Sequence, residues 1–330
     1  MAKRKEAMTA LDDIGFYTLS EERARLTSSS SPLMRCELLV TDRCNFNCPY
    51  CRSAKNKKDL SRADAFSTVG HWIKSGLVNL RISGGEPTLW PYLVDLVTYA
   101  RRAGVERIAI STNGSADTSL YTELLKAGVD DFSISLDGGC CAVGDAMAGG
   151  IEGAWDKVVE NIKYVSSKTY CTVGIVFTED NVDECVGVVE FAASLGVSDI
   201  RIISSAQYNR ALIGLKKLPS RIVDQFPILN YRIGNMRQGR DVRGMSQSDF
   251  KHCYLALDDM AVSGNKHYPC IIHLREGGEA IGDVGPNMRQ EREQWVYNHD
   301  CFQDPICRQN CLDICVQYNN ACGGYSRDSE

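Results

Sequence analysis

Cys44, Cys48 and Cys51 place three thiols within eight residues, at spacings of three and two. Thiolates so arranged can wrap one corner of an iron–sulfur cubane and ligate three of its four irons, leaving the fourth open. An open iron can be chelated by the amine and carboxylate of a cofactor, which holds the rest of that cofactor close enough for electron transfer. A zinc knuckle is the competing reading, but zinc sites usually pair Cys-x2-Cys half-sites with a distant second pair. A second group, Cys253, Cys270, Cys301, Cys307, Cys311, Cys315 and Cys322, fills a short C-terminal stretch. That density implies metal, as iron–sulfur centres or as a structural zinc module built from the same ligand type.

Further residues have the chemistry to serve such a centre. In Ser83-Gly84-Gly85-Glu86-Pro87 the glycines permit close backbone approach and the carboxylate can pair with a cationic amine. Cys140 and Cys141 follow a predicted strand end, where a thiol could return a hydrogen atom to a substrate radical; packed loop cysteines are the alternative. Cys36, Cys171 and Cys185 sit in strand or helix patterns and read as small buried hydrophobes.

Placing these groups requires a scaffold. The 330 residues suffice for two modules, and 44% hydrophobic with 24% charged residues is an ordinary globular balance. Short β-branched runs at Cys36–Thr41, Val78–Ile82, Arg107–Thr112, Asp131–Leu136, Cys171–Phe177 and Asp199–Ile203 alternate with helical patterns. The pattern predicts an α/β chain, a partial (β/α)6 barrel with a small Cys-rich C-terminal module. The chemistry then lies at the strands' C-terminal ends, where each motif falls. The expected division is an N-terminal extension over 1–33, a core over 34–210, an irregular bridge over 211–250 and the cysteine-rich module over 251–330.

With Tyr50 before its last cysteine and the Gly84-Gly85-Glu86-Pro87 run after strand two, the stretch 34–210 resembles the radical S-adenosylmethionine (SAM) superfamily. The resemblance implies a [4Fe-4S] cluster on Cys44, Cys48 and Cys51, with Tyr50 near the adenine. It places the cofactor's ammonium against Gly84, Gly85 and Glu86, and polar residues such as Ser111, Asn113 and Ser135 around its carboxylate and ribose. Each of those three equally suits a strand-end residue satisfying local backbone. The C-terminal order resembles the SPASM or Twitch auxiliary-cluster extension, except that Asn298 stands where a cysteine belongs and Cys315 is extra. One or two auxiliary clusters follow, with Cys253, Cys270 and Cys311 on the nearer, Cys301, Cys307 and Cys322 on the farther, and Cys315 completing either. One cluster with spare cysteines is the alternative.

The implied activity is cleavage of the cofactor to a 5′-deoxyadenosyl radical and hydrogen abstraction, ending in isomerisation, epimerisation or oxidation. The substrate would be a small molecule, a nucleobase or a peptide, and a flavodoxin or ferredoxin-type protein would supply electrons. The 33 residues before strand one leave little room for a leader-binding domain, which weakens the peptide expectation. The stretch Gly15–Arg23 with Ser31–Cys36 resembles phage enzymes that hypermodify thymine and points to an amino-acid-bearing base such as glycinylated thymidine. Net charge −5 gives no footprint for non-specific binding along nucleic acid. The basic run Arg52, Lys55, Lys57, Lys58 and Arg62 could meet an acidic donor or substrate phosphates, or be a solvated loop. No apolar stretch is long enough to span a membrane, so a cytoplasmic location without a membrane partner is expected. A non-catalytic iron–sulfur electron carrier is the contrasting reading, and it would have no use for the Gly-Gly-Glu-Pro run.

Overall fold

The computed structural model describes residues 19–52, 58–178, 181–204 and 214–327. Residues 1–18 of the expected extension, Lys55 and Lys57 of the basic run, and 205–213 near the core–bridge junction lie outside them. The core follows the alternation of the sequence: β1 (Arg35–Leu39), α2 (Arg62–Lys74), β2 (Asn79–Ser83), α3 (Leu93–Arg102), β3 (Arg107–Thr112), α4 (Thr118–Ala127) and β4 (Asp131–Ser135). After β4 come α5 (Cys141–Met147), α6 (Ala154–Ser166), β5 (Tyr170–Phe177), α7 (Cys185–Ser194) and β6 (Asp199–Ser204), while α1 (Glu21–Leu26) precedes β1. The six strands pair in parallel in chain order.

Alternation decides what each strand face does. Leu38, Ile82, Ile110, Ile134, Val173 and Ile200 are fully buried in one core with Trp72, Leu96, Leu124, Ile162 and Val188 of the helices. The intervening positions on the other face carry Glu37, Arg81, Ser111, Ser133 and Arg201, and these line an internal cavity. Cys36, Cys171 and Cys185 are buried among the apolar side chains.

Beyond β6 the chain is more regular than its sequence indicates. The expected irregular bridge holds α8 (Ser220–Val223) and α9 (Pro227–Arg237), with Pro at the first helical position where its missing N–H costs nothing. Then follow α10 (Leu255–Asp258), β7 (Asp259–Ser263), β8 (Lys266–Tyr268), α11 (Ile271–Arg275), β9 (Gly282–Asp283), α12 (Met288–Asn298), α13 (Pro305–Asn310) and α14 (Asp313–Arg327). β7 pairs in parallel with β1, and β8 and β9 continue antiparallel, so the sheet has nine strands in the order β6-β5-β4-β3-β2-β1-β7-β8-β9. The cysteine-rich region therefore begins as an extension of the barrel sheet. In register with this pairing, Arg35 of β1 forms an ion pair with Asp259 of β7. The short α1 packs on α14, and its buried Arg23 donates to Asp258 and, at 2.7 Å, to Asp259. Among the described residues no helix is long and apolar enough to cross a membrane.

Candidate active site

The loop carrying Cys44, Cys48 and Cys51 leaves β1 and is clamped by the ends of its neighbours. At the β2 end, Gly85 N donates to Thr41 O at 2.6 Å and Glu86 N to Arg43 O at 2.7 Å. A Cβ on Gly85 would stand 2.3 Å from Arg43 O, so only glycine lets the strands' ends meet. At the β3 end, Asn113 Nδ2 donates to Asn45 Oδ1 at 2.9 Å and points at Cys44 Sγ, 3.8 Å away. At the β4 end the Tyr50 hydroxyl donates to Asp137 Oδ2, and beyond α5 Ala148 O accepts from Asn47 N at 2.9 Å.

Glu86 occupies an unexpected place. It is fully buried and already accepts from Thr88 N (3.0 Å), Thr88 Oγ1 (2.6 Å), Thr112 Oγ1 (2.7 Å) and Asn113 N (2.6 Å). Burial pushes its carboxyl up, and those four donors pull it back. Its evident work is to tie the Gly-Gly-Glu-Pro turn to the end of β3. It is absent from the cavity wall, so an ammonium would meet the Gly84 and Gly85 backbone first.

The cavity measures about 430 Å³. Cys44, Cys48, Tyr50, Cys51, Gly84, Gly85, Ser111, Asn113 and Ser135 all line it. Its wall also holds Asp137, whose Asp137-Gly138 pair ends the fourth strand as the sequence places it, and Arg81, Arg201 and Glu37, which the sequence does not single out. Arg81 Nη1 donates to Ser111 Oγ at 2.6 Å, Arg201 Nη2 to Ser133 Oγ at 3.2 Å, and Ser83 Oγ to Glu37 Oε1 at 2.5 Å. Burial raises the Asp137 carboxyl to about 6, opposed by hydrogen bonds from Tyr50 and Val176 N. A usable signal was present: charged and hydroxyl residues at every second position of strands whose other positions are continuously apolar.

A model of the radical SAM superfamily matches residues 38–192. The chain carries a radical SAM domain. Along most of its length, that domain included, it is 25% identical over 321 residues to the AdoMet-dependent heme synthase of Methanosarcina barkeri, a match covering 86% of this chain and 88% of that one. The probable GTP 3′,8-cyclase of Saccharolobus solfataricus is 31% identical over 179 residues, 52% of this chain. The chain spans about half the length of the first curated relatives it matches, 57% and 48%. Among solved structures, anSMEcpe with bound AdoMet and a peptide shares the fold with a TM-score of 0.63 at 15% identity, covering 91% of this chain and 98% of that one.

The residues fit the radical SAM cofactors, S-adenosylmethionine and a [4Fe-4S] cluster. Cys44, Cys48 and Cys51 are free thiols at one end of the cavity, beside the bare Gly84-Gly85 backbone and the polar ends of β3 and β4. Burial and the nearby Asp137 raise the Cys48 thiol to about 12, so metal must displace its proton on binding.

At the other end of the same cavity stand Cys253, Cys270, Cys301, Cys307, Cys311 and Cys315. The two expected ligand sets are not kept apart. Cys301 interacts with Cys253 of the other set and with Cys307, and Cys253 is held below its ordinary range mainly by the Cys301 thiol. Cys322 stands outside the wall, buried against Ala24, Leu255 and Tyr318, because it lies on the face of α14 that packs on α1 and α10. Cys140 and Cys141 are also outside. Both residues are exposed at the start of α5, and neither is in the wall of the cavity they were expected to serve.

Proposed function

We propose that the chain cleaves S-adenosylmethionine reductively at the Cys44/Cys48/Cys51 end of the cavity and oxidises a substrate seated toward the C-terminal cysteines. The observation that carries this reading is the continuity of the cavity, lined at one end by the triplet and at the other by six further cysteines. Bound there, the cluster and cofactor supply the 5′-deoxyadenosyl radical that removes a hydrogen atom from substrate. The protein's part is placement. Gly84 and Gly85 offer backbone to the ammonium, Ser111, Asn113 and Ser135 offer donors and acceptors to the carboxylate and ribose, and Tyr50, fixed by Asp137, offers a ring to the adenine.

Cys270, Cys311 and Cys315, neighbours in the cavity wall, would hold an auxiliary centre whose chemistry would be to accept an electron, which favours oxidation. Epimerisation by a hydrogen-donating thiol loses support because Cys140 and Cys141 face solvent. Arg81 and Arg201 in the cavity wall suit a substrate with a carboxylate or phosphate. An amino-acid-bearing base such as glycinylated thymidine and a peptide segment both meet that requirement, in keeping with relatives named for GTP and heme. A flavodoxin or ferredoxin-type donor would approach the exposed Cys44 and Cys51, beside Arg43 and Lys58.

The test is anaerobic reconstitution of wild type and a Cys44/Cys48/Cys51→Ala variant, followed by dithionite and cofactor. Deoxyadenosine from wild type alone supports the reading. None from iron-loaded wild type, with substrate-rich extract supplied, removes it in favour of an electron carrier.

A further inference from the structure

His299 belongs to no part of the site described above. It ends α12, one residue past Asn298, the position where the resemblance to the auxiliary-cluster extension implies a cysteine. One ring nitrogen of His299 and the sulfurs of Cys301 and Cys307 all lie within 4.8 Å of one another. Cys253 acts on the Cys301 thiol from outside that group of three.

The surroundings hold the imidazole in place. Its ring stacks on Trp295 with centroids 4.2 Å apart, and its Nε2 is 3.0 Å from Asp304 Oδ2. Asp304 is itself fixed as the N-cap of α13, accepting from Ile306 N at 2.7 Å and Cys307 N at 3.2 Å. A carboxylate behind a histidine is the usual support of a metal-ligating imidazole. Cys301 N donates to Lys251 O at 2.7 Å, which joins the segment before α10 to the turn after α12.

Separations within 4.8 Å suit donors to a single ion. Around a tetrahedral zinc, with bonds of about 2.3 Å to sulfur and 2.0 Å to nitrogen, donor atoms sit roughly 3.5–3.8 Å apart. A cubane holds each thiolate on a different iron and spreads them wider. We propose that His299, Cys301 and Cys307 bind a single tetrahedral cation of the zinc class, with the neighbouring Cys253 drawn in as the fourth ligand and Asp304 as a positioning residue for the imidazole. Three cysteines and one histidine form a recognised structural zinc set, and binding releases the thiol protons. The cation pins α10, α12 and α13 together, and Cys270, Cys311 and Cys315 remain for iron. The site stands independently of the radical reading, because zinc content and deoxyadenosine formation are measured separately.

The experiment uses the full chain, purified anaerobically from zinc-supplemented medium, with zinc and iron per chain measured by mass spectrometry for wild type, His299→Ala, His299→Cys and Asp304→Asn. One zinc in wild type, lost in His299→Ala with iron retained and restored in His299→Cys, is the expected pattern. Cobalt exchanged into wild type and His299→Cys should then give different ligand-field spectra, for three and four thiolates. Asp304→Asn should keep the zinc but release it to a chelator about 10–100-fold more readily. Unchanged zinc in His299→Ala, zinc absent from both wild type and His299→Cys, or iron lost together with the histidine would each overturn the proposal.

Discussion

Replacing Gly85 by alanine tests whether the Gly-Gly-Glu-Pro turn sets the position of the cysteine triplet. The added Cβ would stand 2.3 Å from Arg43 O, 2.7 Å from Arg43 C and 2.8 Å from Asp42 O, all inside ordinary contact at 3.4 Å and the first by more than 1 Å. All three atoms are backbone, so no side chain can swing away. The β1 loop must withdraw and lose the hydrogen bonds Gly85 N to Thr41 O and Glu86 N to Arg43 O. Overpacking costs about 1–3 kcal/mol and each lost bond about 1 kcal/mol, giving about 3–5 kcal/mol in total. Cys44 follows Arg43 directly, and a shift of about 1 Å in a reacting group can lower a rate on the order of 10²-fold. Urea unfolding of the metal-free chain should show a lower midpoint with unchanged slope. The reconstituted variant should lose most of its deoxyadenosine formation. Gly104→Ala is the control: its φ of +91° carries a cost of about 1–2 kcal/mol, but nothing lies within 4 Å of its Cβ. A Gly85→Ala protein with wild-type midpoint and wild-type deoxyadenosine would refute the reasoning; equal loss in Gly104→Ala would show that general destabilisation, not the loop contact, is responsible.

Other consequences follow from burial and placement. Asp199 is fully buried, and desolvation raises its carboxyl to about 7 against hydrogen bonds from Ile228 N, Ile200 N and Tyr170. The folded chain therefore holds a proton between about pH 4 and 7 that the unfolded chain has released, so this group's contribution falls as pH rises through that window. Asp199→Asn should flatten the decline in urea midpoint over the same range. Cys322→Ala should leave iron per chain unchanged, since its thiol packs against Ala24 and Tyr318, whereas Cys311→Ala should lose iron from the cavity's far end. The double change Cys140→Ser and Cys141→Ser should leave deoxyadenosine formation at the wild-type level, and a fall would return those thiols to the site.

Much of the barrel was legible because its strands and helices are local patterns with sharp ends. Every one of the six parallel strands falls within one or two residues of its sequence expectation, as Arg107–Thr112 shows without any shift. What local pattern does not contain is a partner far along the chain. β7, Asp-Met-Ala-Val-Ser, is five residues long and becomes the neighbour of β1 only through a connection of more than two hundred residues. α9 escaped for another reason: its buried face mixes Arg232 and Asn235 with Ile228, Leu229, Ile233 and Met236, so residue polarity does not follow the helical period. At the site, Cys44, Cys48 and Cys51 were announced by spacing, and the glycines by their chemistry. Glu86 had the right type, but four local donors claim its carboxylate, and no motif shows that competition. The exposure of Cys140 and Cys141 likewise follows from the course of the backbone past β4, not from residue type.

The central claim is that the iron left open by Cys44, Cys48 and Cys51 shares its end of the cavity with the S-adenosylmethionine site. Electron paramagnetic resonance of the dithionite-reduced chain, recorded with and without cofactor, tests it most directly. A cluster signal that changes on adding S-adenosylmethionine, and is missing from the Cys44/Cys48/Cys51→Ala variant while any auxiliary signal persists, is the predicted result. A fully assembled, reduced cluster whose signal is indifferent to the cofactor would contradict the account.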